Sequence, residues 1–346
     1  MNAVSDPVDW RPGASRHALE ARAQLLADIR AFFASRSVLE VETPLLSRYG
    51  NVDPNINSIR TADPGVRHLR TSPEYAMKRL LASGMRDIYE LGRVFRAGES
   101  GRYHNPEFTL LEWYRVGLPY LALATEVCAL VRACGRGQFD HWPDAQVSYR
   151  ELFITHTGLD PLLCDESQLA DCAVERGIAA GPLDHSEWLD LVMAEIIQPA
   201  LPGEQLTVVY DYPPEQAALA RIRPGETPMA ERFEVYLGQM ELANGYQELT
   251  DAAEQLERFE REQSQREYRG DEFVPFDSGL VAALQSGMPE CSGVALGVDR
   301  LLMSILKLDR LDSVLAFSTD RSWMWAPATL CTPCAKLLRC QRTGRL

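Results

Sequence analysis

The chain predicts an α+β fold, an antiparallel β-sheet flanked by helices. Strand-like segments at 88–96, 108–116, 207–212, 232–249 and 293–297 outnumber crossover units and read as joined by turns. Amphipathic helical stripes lie before and after them. Neither a Walker-type nor a dinucleotide-type Gly-rich strand-to-helix turn occurs, so a parallel nucleotide-binding sheet is not expected.

The elements follow in order. Residues 17–38 carry Leu25, Leu26, Ile29, Phe32 and Phe33 on one stripe of a long helix. Residues 39–44 read as a short strand stopped by Pro44. Ser72-Pro73-Glu74 opens a helix, with Ser as the N-cap, Pro in the first turn and Glu complementing the dipole, ahead of Met77, Leu80 and Leu81. Segments 88–96 and 108–116 pair as a hairpin around a Gly-rich loop at 97–105. From 118 to about 203 the pattern is helical and poor in polar chemistry, so it reads as an insertion packed on the sheet, without catalysis. A strand at 207–212 and a long β segment over 232–249 follow. The helix at about 251–268 alternates Glu and Arg and reads as a solvated face. A strand at 293–297 and a helix at 298–308 complete the domain. The expected organisation is an N-terminal segment at 1–14, a catalytic domain at 15–321 and a tail at 322–346.

Composition narrows the function. The formal net charge is −14, and the segment after Arg321 adds Lys336, Arg339, Arg342 and Arg345 without an acid, leaving −18 on the body. Phosphate neutralisation by Lys and Arg dominates nucleic-acid affinity, so such a body opposes nucleic-acid binding and better suits a basic protein partner or simple solubility. No apolar run reaches the roughly 18 to 20 residues of a membrane span, which makes no membrane and a cytoplasmic location the expectation. Cys128, Cys134, Cys164, Cys172 and Cys291 are scattered and read as reduced thiols. Cys331, Cys334 and Cys340 cluster without a nearby His, short of the four ligands of a structural zinc site.

Two arginines about two hundred residues apart suggest an ATP site. Arg96 ends a strand beside the Gly-rich loop, where a guanidinium can meet an α-phosphate; the bland alternative is a surface ion pair with Glu99 or Glu107. Arg300 opens an apolar helix. Glu234, Glu241 and Glu248 are seven apart, so strand alternation sends neighbours to opposite faces unless bulges at Gly238 or Asn244-Gly245 reset the register. Read alone, three acids on a strand are a solvated surface.

Residues 40–44, 96–108 and 293–300 resemble motifs 1, 2 and 3 of the class II aminoacyl-tRNA synthetases. Ser72-Pro73-Glu74-Tyr75, His104-Asn105-Pro106-Glu107-Phe108, Leu111-Glu112-Trp113-Tyr114, the run 241–251 and the run 291–300 are most similar to the lysyl branch, and within it to the truncated paralogues that modify elongation factor P. The resemblance covers nearly all of 15–321. It implies that Arg96 and Arg300 are catalytic, and that ATP is bound by Arg96, Gly98, Glu99, His104, Asn105, Phe108, Glu241, Leu242, Gly297 and Arg300, with adenine sandwiched between Phe108 and Arg300. Gly297 would leave room for nucleotide or backbone. Glu234 and Glu241 would hold Mg²⁺. Ser72, Pro73, Glu74, Glu112, Tyr114, Asn244, Glu248 and Ala295 would form an amino-acid pocket whose acids pair with the ammonium groups of a diamino acid.

The place of Ala295 is usually Gly in full-length lysyl enzymes, and one methyl suits (R)-β-lysine over α-lysine. The family's Arg-Asn-Glu at the start of motif 2 is here Arg96-Ala97-Gly98, with Glu99 one place later; 322–346 has no counterpart. The resemblance implies elongation factor P as protein substrate and a homodimer. No tRNA is expected, because full-length relatives carry an anticodon-binding domain before motif 1 and the about fifteen residues ahead of this catalytic domain cannot hold one. A lysyl-tRNA synthetase-like core acting on RNA, and a catalytically silent regulatory paralogue, stay open as alternatives.

Overall fold

The computed structural model describes residues 10–62, 65, 67–179 and 181–322. The cluster Cys331, Cys334 and Cys340 and almost all of the tail lie outside the described residues. Ser15 accepts from the Ala18 amide and starts α1 (Arg16–Ala34), whose stripe Leu25, Ile29, Phe32 and Phe33 is buried as its spacing predicts. Short strands β1 (Leu39–Glu40), β2 (Leu46–Ser47) and β3 (His68–Leu69) precede α2 (Glu74–Ala82). That helix begins at the Ser-Pro-Glu signal, but the N-cap residue is Pro73; Ser72 Oγ accepts from the Glu74 amide and turns its hydroxyl toward Glu112.

Strands β4 (Ile88–Phe95) and β5 (Glu107–Val116) form the expected antiparallel hairpin. After α3 (Tyr120–Gly135) the chain runs through β6 (Asp144–Ser148), α4 (Tyr149–Thr157), α5 (Glu166–Glu175), α6 (His185–Val192) and β7 (Leu206–Tyr212). It continues with β8 (Ile222–Arg223), β9 (Met229–Leu237), β10 (Met240–Gln247), α7 (Ala252–Arg269), α8 (Ser278–Gly287), β11 (Cys291–Gly297) and α9 (Val298–Ile305). The main sheet runs β1-β4-β5-β11-β10-β9-β7-β6, with β8 on β9.

The expected antiparallel sheet flanked by helices is found with two parallel pairings added at its edges, and three other expectations are corrected. The sheet is antiparallel in its centre, but β1 pairs with β4 and β6 with β7 in parallel, each parallel partner lying at an edge. The 118–203 region is not wholly helical, since β6 extends the sheet from within it. The long 232–249 segment is a hairpin: Gly238, with φ of 60°, makes its turn, where added Cβ atoms would sit 2.6 Å from the Gly203 carbonyl oxygen. The 251–268 helix buries Gln255, Arg258, Phe259 and Arg266. Arg266 is occupied by the carbonyls of Val52, Asp53 and Ile56, so charge patterning concealed a structural face.

Alternation on the central strands separates core from site. On one face Leu111, Trp113, Phe233, Val235, Val294 and Leu296 pack with α1, α3 and α9. Burying each such side chain contributes about 1.5–3 kcal/mol. On the other face, α2, α7 and α8 cover Ile88 and Tyr114, while α4, α5 and α6 pack on Tyr212 and Tyr236. Side chains of β5, β10 and β11 on that face line a cavity of about 330 Å³.

Candidate active site

Three strands build the cavity floor in register. Glu112 of β5 lies opposite Ala295 of β11, which lies opposite Asn244 of β10; one step along, Tyr114, Gly293 and Tyr246 form the next row. Gly293 is fixed by this geometry. A Cβ there would stand 2.4 Å from both Glu248 Oε1 and the Tyr114 ring, closer than real Cβ contacts allow.

At one end lies an acid pocket. Glu112 accepts from Ser72 Oγ at 2.6 Å and from Tyr114 OH at 2.7 Å. Lys78 is buried between Glu74 and Glu248, with its Nζ 2.6 Å from an oxygen of each. Burial, followed by the charge of Glu74, pushes the Glu112 carboxyl up to about 8. Burial likewise pushes Glu248 up to about 7, with Lys78 pulling the other way. Burial alone would discharge Lys78, but Glu248 and Glu74 outweigh it and hold its pKa above the ordinary value. Lys78 was missed in the sequence, although its i,i+4 spacing from Glu74 and its place beside Met77 on the apolar side of α2 were signals.

At the other end lie the two arginines. The Arg96 guanidinium sits 5.1 Å from the centre of the Phe108 ring and 3.5 Å from Glu99, with Nε directed at the Thr71 carbonyl. The ion pair anticipated as the bland alternative therefore exists with Glu99, while Glu107 lies 3.7 Å from Arg93 instead. Arg300 donates to the Glu241 carbonyl at 3.0 Å and meets His104 Nε2 at 2.8 Å. Burial and the neighbouring Arg300 charge lower the pKa of His104, favouring its neutral form. Behind Arg300, Asp299 is buried and accepts from the Thr109 amide at 2.8 Å and from Arg22, tying α9 to β5 and α1.

Most of the sequence-derived residues share this cavity: Ser72, Glu74, Arg96, Glu99, His104, Asn105, Phe108, Glu112, Tyr114, Glu241, Leu242, Asn244, Glu248, Ala295, Gly297 and Arg300 line it. Pro73 lines an adjoining cavity of about 210 Å³. Gly98 and Glu234 do not line the first. Gly98 sits in the loop with φ of 81°, a conformation that favours glycine. Asn105 spends its side chain within the protein, donating to the Glu107 carbonyl and accepting from the Thr319 amide. Protein atoms do not crowd Gly297, where a Cβ would make only ordinary contacts of 3.6 Å or more with Arg300.

The acids seven apart are reconciled by a bulge at a different place from those expected. The register with β9 slips between Glu241 and Ala243, so Glu241 lies opposite Tyr236 and Asn244 opposite Glu234. Glu241 and Glu234 thereby meet. Burial, then the charge of Glu234, raises the Glu241 pKa. Two mutually repelling carboxylates fit a divalent cation, and hard oxygens suit Mg²⁺. Glu234 is held by Arg232 at 2.6 Å and by Tyr236 OH at 2.5 Å. Among the described residues no group of three or more His, Cys, Asp or Glu could hold a metal, so further ligands would come from phosphate and water.

A mostly antiparallel sheet carries on one face a cavity with two arginines at one end and an acid pocket at the other. The model of the class II tRNA synthetases (D, K and N) matches residues 5–137 and 193–321, and the chain belongs to that family. The unmatched stretch, 138–192, carries β6, α4, α5 and α6. Within the family, the chain is 43% identical over 329 residues to the elongation factor P–(R)-β-lysine ligase of Photorhabdus laumondii, covering 92% of this chain and 100% of the relative. It is 45% identical over 330 residues to the ligase of the same name from Edwardsiella ictaluri, again with 92% and 100% covered. The Vibrio cholerae ligase is 44% identical over 327 residues, covering 91% of this chain and 99% of the relative.

Proposed function

We propose that this chain is an ATP-dependent ligase that activates (R)-β-lysine, or lysine, as an aminoacyl-adenylate and transfers the acyl group to a lysine side chain of elongation factor P. The observation that carries this reading is a single cavity in which an acid pocket suited to ammonium groups adjoins two arginines suited to phosphate. Relatives that match the chain along more than nine-tenths of its length bear that activity in their names.

The work assigned to the residues is positioning and charge stabilisation. Glu74, Glu112 and Glu248 hold the ammonium groups and orient the substrate carboxylate toward the α-phosphate. Arg96 stabilises charge at that phosphorus as the carboxylate oxygen attacks and pyrophosphate departs. Phe108 and Arg300 offer the two faces of an adenine site and His104 the triphosphate end; the approach of Arg96 to Phe108 would open to admit the base. Mg²⁺ held by Glu234 and Glu241 would neutralise phosphate charge. In the second half-reaction the acceptor amine attacks the activated carbonyl and AMP leaves. Exposed Leu39, Leu45 and Leu46, which flank the 40–44 segment resembling motif 1, support a homodimer through that face.

Pyrophosphate exchange into ATP, dependent on lysine or (R)-β-lysine, tests the first half-reaction, and a mass increase on elongation factor P tests the second. Failure to exchange with either isomer refutes the enzyme and leaves the silent paralogue. Charging of tRNA at a rate comparable with protein modification refutes the choice of acceptor.

A further inference from the structure

The acid pocket contains more negative charge than its surroundings balance. Glu74, Glu112 and Glu248 supply three carboxylates to the cavity, and Lys78 is the cation placed among them, so full ionisation leaves a buried charge of −2. A diamino acid brings two ammonium groups, which would balance that charge. Before it arrives, a buried charge of that size is costly, and the inexpensive remedy is to protonate one acid.

Hydrogen-bond chemistry identifies which one. Glu74 and Glu248 both face the Lys78 ammonium, a group with three donors and no acceptor, so each has a cation as its partner. Glu112 faces two hydroxyls, Ser72 Oγ at 2.6 Å and Tyr114 OH at 2.7 Å. Hydroxyls donate to a carboxylate or accept from a carboxylic acid, so Ser72 and Tyr114 satisfy Glu112 in either state. The charged and titratable groups around it agree. Glu74 and Lys78 face it from α2, and Glu248 from beyond the end of β10. Tyr246 lies one row along on β10. On β4 the cross-strand neighbour Glu90 is already neutralised by Arg70 at 2.5 Å.

We propose that Glu112 is a proton-exchanging specificity residue: protonated in the free protein, it releases its proton to solvent when the second ammonium group of a diamino substrate enters, while Lys78 stays charged as a fixed internal counter-ion. The O–H bond of Glu112 breaks, its proton passes to buffer, and a substrate N–H donates to the carboxylate so formed. A substrate with one ammonium group leaves Glu112 protonated, so the pocket counts charges as well as fitting shape. The elevation of the Glu112 pKa to about 8 by burial and Glu74 agrees with this assignment. The inference rests on the diamino-acid reading of the pocket and deepens it.

Titration calorimetry of the full chain with (R)-β-lysine and with lysine at pH 7, in phosphate and in Tris, tests it. The apparent enthalpy should differ between buffers by an amount corresponding to release of about one proton per substrate bound. Glu112→Gln should bind more weakly and remove that difference. Binding with the same enthalpy in both buffers overturns the proposal while leaving the pocket reading intact. Proton release that persists in Glu112→Gln also overturns it, and no binding of either isomer overturns the pocket reading together with the proposal. Absence of a buffer difference on the unaltered chain overturns the proposal even where the variant fails to fold.

Discussion

Replacing Lys78 by Met keeps most of the side-chain volume on α2 and removes the cation between Glu74 and Glu248. The Lys78 and Glu248 side chains are each 1% exposed and their charged atoms lie 2.6 Å apart, so water does not take over the lost role. Breaking a buried pair by removing one partner costs about 3–5 kcal/mol, largely as the penalty of the charge left behind. Protonating an orphaned carboxyl at pH 7 costs about 4 kcal/mol from an ordinary pKa, which caps the loss in the same range. The sign with pH follows. Lys78 has a raised pKa, so its contribution is fully present below the unfolded value of about 10.5 and is lost only as pH rises through the folded one. Across pH 5–8 that contribution is constant, and any trend in the difference between proteins belongs to the acids. The deficit of Lys78→Met should therefore be about 3–5 kcal/mol at pH 7 and shrink by up to about 1.4 kcal/mol per unit as pH falls toward 5. Urea unfolding of both proteins at pH 5, 6, 7 and 8 measures it, and adding Glu248→Gln should recover part of the loss. A deficit below about 1 kcal/mol at pH 7, or one independent of pH, would refute the account of Lys78 as a buried counter-ion.

Three further outcomes are expected. Arg96→Ala should lower the exchange rate by about 10²- to 10³-fold with the fold intact by circular dichroism; a loss under tenfold places the phosphate contact elsewhere. Gly293→Ala should raise KM for the amino acid far more than KM for ATP, because its Cβ would strike Glu248 Oε1 and the Tyr114 ring at 2.4 Å; equal effects on both would show that the glycine serves the whole sheet. Ala295→Gly should shift the ratio of kcat/KM values toward α-lysine, by no more than the roughly 10- to 200-fold that one methyl discriminates, and an unchanged ratio removes Ala295 from the specificity argument.

Much of this was legible in the chain because it depends on local pattern. The α1 stripe, the β4–β5 hairpin and the start of α2 follow from spacing, capping and turn residues, which act over a few positions. The runs at 72–75, 104–108, 111–114, 241–251 and 291–300 marked residues that the fold then gathers around one cavity. The pairing of β1 with β4 and of β6 with β7 was not legible, because parallel partners are chosen by distant packing. Arg266 looked solvated because the carbonyls that accept from it come from residues 51–56, more than two hundred positions away.

The sequence by itself determined which chemical groups this protein brings to its site: two arginines, a set of glutamates and the strands that carry them. Tertiary structure decided the state of those groups. A one-residue slip between Glu241 and Ala243 turns Glu241 and Asn244 to the same face, which strand periodicity alone forbids. The packing of α2 against the sheet inserts Lys78 between two of the acids and leaves the third to two hydroxyls. Charge states depend on burial and on the nearest partners, and those are set by how elements far apart in sequence come together.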